Sequence, residues 1–91
     1  MALFVVSYDL HKVRNYEPLH AGLQRGGAVR ILESLWLWQV NDTAKGVRDA
    51  LMNLVDQDDA LAVIEIKPKS DWASRNALQP GVQWLKTNVH A

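Results

Sequence analysis

A carboxylate, Asp9, closes the first apolar run of the chain and is followed by His11, Lys12 and Arg14. Farther on stand Glu33, the pair Asp58-Asp59, and Lys67 with Lys69. Carboxylates with a histidine nearby are donors for a hard divalent ion: magnesium takes oxygen ligands, keeps several waters and can activate one of them. In that scheme Asp9 is the metal and catalytic candidate, and His11 is a further ligand or general acid/base. Lys12, Arg14, Lys67 and Lys69 are the candidates to hold phosphate. The same residues have plainer readings, with Asp58 and Asp59 as turn formers, Glu33 as a hairpin charge and the two lysines as a charged strand end. Trp36 and Trp38, two apart, suit either the stacking of bases or a core and subunit contact. Basic residues are not interleaved with them, which favours the second use.

The elements that must position these groups follow from periodicity. Leu3 to Asp9 reads as a strand apolar on both faces, with Phe4, Val6 and Tyr8 on one side and Leu3, Val5 and Ser7 on the other. Asn15 offers an N-cap and Pro18 a first-turn residue for a helix whose inward stripe is Tyr16, Leu19, His20 and Leu23. Gly26-Gly27 ends that helix. Ala28 to Glu33 and Leu35 to Val40 read as strands joined by a tight hairpin at Glu33-Ser34. One of Asn41, Asp42 and Thr43 caps a second helix with Val47, Ala50, Leu51, Leu54 and Val55 on one face. Leu61 to Ile66 is a last strand, and Pro80-Gly81 opens a short helix carrying Val82 and Leu85.

The order is therefore β-α-β-β-α-β with a tail. It predicts an α+β, ferredoxin-like βαββαβ sandwich in residues 1–69, a four-stranded antiparallel sheet with two helices on one face. Residues 70–91 form a partly helical C-terminal tail packed on the same domain. Strands one and three are expected at the centre. The other sheet face then needs a cover, from the tail or from a second copy. This topology gathers Asp9, Glu33, Ser34, Asp58 and Asp59 at one edge of the sheet, and Arg25, Arg30, Lys67 and Lys69 at the opposite edge.

Composition narrows the function classes. Ten basic and ten acidic residues give a formal net charge of zero, whereas a chain that holds nucleic acid mainly by counterion release is usually basic. The absence of cysteine removes disulfides and thiolate chemistry and fits a cytoplasmic protein. No apolar run is long enough to span a bilayer, and a signal peptide is not expected. There is no glycine-rich phosphate loop, nucleophile elbow or zinc spacing.

Tyr8-Asp9-Leu10 closing a first apolar strand, Tyr16, Glu33-Ser34 with Trp36, and Trp84-Leu85-Lys86 resemble a family. They are similar to SinR-like bacterial relatives of the small CRISPR-associated ferredoxin-like proteins that partner the CRISPR integrase. The likeness spans nearly the whole chain. It implies a homodimer formed through the sheets, with the two Asp9 carboxylates facing each other across the axis, where such a pair is proposed to hold a metal for phosphodiester hydrolysis. Asp9 carries over as the metal candidate and Ser34 as the hairpin serine of the binding set. The tail departs from the integrase partner, whose C-terminal strand used in assembly is replaced here by a tryptophan-bearing segment.

Two functions are expected from this reading. The favoured one is a non-catalytic homodimer, with no required cofactor, that binds nucleic acid or a protein partner. The alternative is a magnesium-dependent endonuclease, of RNA or DNA, with Asp9 as ligand at the dimer axis.

Overall fold

A computed structural model describes residues 1–10 and 16–90. The elements run β1 (Ala2–Asp9), α1 (Glu17–Arg25), β2 (Val29–Leu32), β3 (Leu35–Val40), α2 (Ala44–Met52), β4 (Ala60–Ile66) and α3 (Gln79–Asn88). This is an α+β chain whose strands form one antiparallel sheet in the order β2-β3-β1-β4. The two strands that are apolar on both faces, β1 and β3, therefore lie in the middle, as their composition requires. His11, Lys12, Arg14 and Asn15 lie outside the described residues.

Register sorts the side chains. Phe4 pairs with Trp38 and Val6 with Trp36 on one face, while Val5 pairs with Leu37 and Ile64 on the other. On the first face Phe4, Val6, Tyr8 and Trp36 pack with Leu19 and Leu23 of α1 and Val47 and Leu51 of α2. Thr43 is the residue that caps α2, its hydroxyl oxygen accepting the Gly46 N–H at 3.1 Å. The expected stripe of α2 needs correction in two respects. Ala50 is exposed, and the helix stops at Met52, so Leu54 and Val55 reach the core from the turn that follows. Gly27, at φ +87°, ends α1 in a conformation that residues with a Cβ rarely adopt.

The part of the second face over β2 and β3 is covered by the chain itself. Leu3, Ile31 and Leu37 pack with Leu85 and Val89 of the tail, flanked by Trp72 and Trp84. Of the two covers expected from the sequence, a tail or a second copy, the tail is the one that packs here. A ten-residue helix such as α3 is marginal in isolation. Burying Leu85 and Val89 contributes roughly 1.5–3 kcal/mol each and holds it to the sheet. The approach is close because Gly81 has no side chain: a Cβ there would sit 2.6 Å from the Ile31 Cα. Backbone cannot retreat as a flexible side chain can.

Gly81→Ala should therefore lift α3 from β2 and cost about 1–3 kcal/mol, the usual penalty of overpacking a filled site. Urea denaturation should show a lower midpoint. An unchanged midpoint would mean that the tail adjusts without loss.

Candidate functional site

Where β1 ends, the phenol of Tyr8 is the meeting point of four elements. Tyr8 is buried at the base of a cleft of about 370 Å³ lined by Tyr8, Asp9, Tyr16, His20, Arg30, Glu33 and Ser34. The Tyr8 hydroxyl lies 2.5 Å from His20 Nε2, 3.1 Å from the Glu33 carbonyl oxygen and 3.3 Å from Trp36 Nε1. The β2-β3 hairpin is tied to β1 by the Tyr8 N–H, which donates to the Ser34 carbonyl at 3.3 Å.

Counting protons assigns the network. Arg30 donates to the Glu33 carbonyl through Nε at 3.0 Å and Nη2 at 2.5 Å, and one carbonyl oxygen has two lone pairs. With both occupied, the Tyr8 proton goes to His20 Nε2, so the His20 proton sits on Nδ1. The Trp36 N–H in turn donates to the Tyr8 oxygen. No fully buried side-chain nitrogen or oxygen among the described residues then lacks a partner, as a low-dielectric setting demands.

Both titratable members are held neutral. Burial lowers the His20 pKa below its ordinary 6.5, and the charge of Arg30 acts in the same direction. Burial raises the Tyr8 pKa above its ordinary 10.0 and outweighs the opposing pull of the Trp36 N–H and of Arg30.

Aromatic rings line the wall. Tyr16 stacks on His20 with centroids 5.6 Å apart and planes 25° apart, and it tilts against Tyr8 at 5.9 Å. Tyr16 is 38% exposed, so the stack presents a ring to solvent. This corrects its placement on the inward stripe of α1, where only Leu19 and Leu23 are fully buried. Arg30 lies over the Trp36 ring at 5.8 Å and makes no ion pair with a carboxylate among the described residues. It is a cation fixed by a carbonyl and an indole, with no carboxylate partner among the described residues.

Of the residues singled out from sequence, the structure brings Asp9, Glu33 and Ser34 together at this cleft. Asp59 is elsewhere: its carboxylate accepts the Asp56 N–H at 2.8 Å, and it lines a separate depression with Arg48 and Leu61. Among the described residues no three His, Asp or Glu side chains are grouped to hold a metal ion.

Lys67 and Lys69 follow β4 at the end where Ile66 pairs with Leu3, whereas Ala60 pairs with Asp9. A strand of this length separates the ends by roughly 20 Å, and Lys67 bridges Glu65 at 3.1 Å. Arg30, assigned from sequence to that far edge, instead reaches along β2 to the hairpin carbonyl. Residues not singled out as site members, Tyr8, Tyr16, His20 and Arg30, make up most of the cleft. The spacing of Tyr16 and His20 by four, one helical turn, was the available signal.

No protein-family model matches the chain, and no solved structure is a significant match to it.

Tyr8→Phe should cost about 1–3 kcal/mol, because it strands the buried indole N–H of Trp36 and the acceptor of His20; thermal melting reads this directly. Stability should also carry the signature of the dyad. Below pH 6.5 the unfolded chain takes up a proton that folded His20 resists, so stability falls as pH drops through the lowered folded pKa. Above pH 10 the unfolded chain releases a proton that folded Tyr8 keeps, so stability falls again as pH rises. His20→Gln should remove its share of the acid arm and leave the alkaline arm in place; an acid arm identical to the parent's would contradict the assignment.

Proposed function

We propose that this chain is a ferredoxin-like βαββαβ domain, related to the SinR-like kin of the small CRISPR-associated proteins, that binds single-stranded nucleic acid without cutting it. The observation that carries the reading is the Arg30 guanidinium, with no carboxylate partner among the described residues, beside the exposed Tyr16 ring in one cleft. A phosphate meets Arg30, a base lies against Tyr16, and the Asp9 and Glu33 carboxylates accept amino protons from the base edge. Such a site takes one nucleotide unit, which accords with a chain of no net charge.

The phenol and imidazole favour binding over hydrolysis. Both are neutral, and the Tyr8 hydroxyl is committed to Trp36 and His20, so it is poorly placed to act as a nucleophile. The homodimer belongs to the same reading, with its contact moved off the surface that α3 occupies. β4 is an edge strand, and its Ile64 is 58% exposed. We place the protein in the cytoplasm with its nucleic acid.

Fluorescence anisotropy with a labelled single-stranded RNA or DNA oligomer tests the proposal. Binding should depend weakly on salt, with a log–log slope of about −0.7 for each phosphate held. Tyr16→Ala should raise Kd about tenfold, since stacking a base is worth about 1–3 kcal/mol, and Arg30→Ala should flatten the salt dependence. Failure of either substitution to weaken binding would remove the cleft as the site. Magnesium-dependent cleavage abolished by Asp9→Ala would establish the endonuclease alternative instead.

A further inference from the structure

On the opposite face of the sheet lies a second cavity, of about 450 Å³, beneath the segment that joins β4 to α3. Its floor includes Val5, Leu35 and Leu37, and its roof is Trp72 and Ala77. We propose that this cavity is a binding site for an uncharged, mostly apolar small molecule of fused-ring size.

The first reason is that the roof cannot settle onto the floor. Residues 67–78 form a strap fastened along its length. The Ser70 hydroxyl accepts the Lys67 N–H at 3.0 Å, and the Pro68 carbonyl accepts the His90 N–H at 2.8 Å. Trp72 Nε1 donates to the Val89 carbonyl at 2.6 Å, and the Leu78 N–H donates to the Ile31 carbonyl at 2.9 Å. Between the last two anchors the strap carries only Ala73, Ser74, Arg75, Asn76 and Ala77, with Asn76 in the left-handed conformation at φ 57°. Its side chains here are small or polar, and the long one, Arg75, carries a charge that keeps it from filling an apolar space.

The second reason is what can occupy the space. The cavity opens to solvent on the side of Ser70, Asp71, Ser74 and Arg75, but the aliphatic and aromatic walls facing it offer water few of the two to four polar partners that each molecule needs. The volume falls in the range of small-molecule pockets, about 300–1,000 Å³. An indole wall and leucine floor suit a flat, apolar body.

The rim sets the charge. Asp71 and Arg75 both line the cavity, and neither makes an ion pair among the described residues. Together the two opposite charges give the rim no net sign, so it favours neither an anion nor a cation, and a neutral ligand can exchange hydrogen bonds with both groups.

The probe is N-phenyl-1-naphthylamine, an uncharged fused-ring amine whose emission rises in apolar surroundings. Titrated into the full chain, it should bind saturably at one molecule per chain, with energy transfer from tryptophan. Ala77→Phe, which fills the cavity from the roof, should weaken binding at least tenfold, and Val5→Phe, which fills it from the floor, should do the same. Circular dichroism identifies which of the two remains folded. Ile64→Ser, on the same face but outside the cavity, should bind the probe as the parent does. The proposal is overturned if the parent shows no saturable binding, if a folded filled variant binds equally well, or if Ile64→Ser abolishes binding. Tighter binding of the anionic 8-anilinonaphthalene-1-sulfonate than of the neutral probe overturns the stated ligand class.

Discussion

The constraint on which the structure depends is that β1 and β3 are apolar on both faces and so must be buried on both. Helices α1 and α2 satisfy one face, as their amphipathic stripes allow. The other face has no partner among the elements up to β4 and must recruit one from beyond it. The tail fills that role by placing Leu85 and Val89 on Leu3, Ile31 and Leu37. From this one requirement follow the close approach at Gly81, the strap that carries the chain to α3, and the hollow beneath it.

A second consequence appears where β1 ends. A strand sandwiched between two layers delivers Tyr8 to the edge of the core with its hydroxyl still inside. A buried hydroxyl needs partners, and it finds them on a helix and the neighbouring strand, while the Tyr8 N–H holds the hairpin carbonyl of Ser34. The network therefore fastens α1 and the hairpin to the sheet, and it also fixes the walls of the cleft. Tyr16 and Arg30 are held in place from beneath, by His20 and by Trp36 with the Glu33 carbonyl. Binding in such a cleft costs little side-chain entropy, because the rings and the guanidinium are already ordered.

The two cavities lie on opposite faces and differ in chemistry for the same structural reason. The first lies where polar strand ends and a hairpin meet, so carboxylates, a guanidinium and a phenol line it. The second lies over the middle of a strand pair, where register places only aliphatic side chains, and polar groups reach it from the strap alone.

The sequence by itself determined the order of elements, the two-sided apolar character that centres β1 and β3, and the hairpin at Glu33-Ser34. Each of these follows from alternation of side chains or from turn chemistry, which are local; the gathering of Asp9, Glu33, Ser34, Asp58 and Asp59 rests on topology, and the cleft brings together only the first three of them. The sequence also identified Trp36 and Trp38 as sharing one face and Leu35 and Leu37 as sharing the other. Tertiary structure alone decided which candidate covers the second face, because an apolar sheet surface accepts a tail or another subunit equally well. It also decided the composition of the cleft. Tyr8 and His20 are twelve positions apart and Arg30 lies on another strand, so their meeting depends on the angle at which α1 crosses the sheet and on the reach of a long side chain. Neither quantity is written in spacing along the chain.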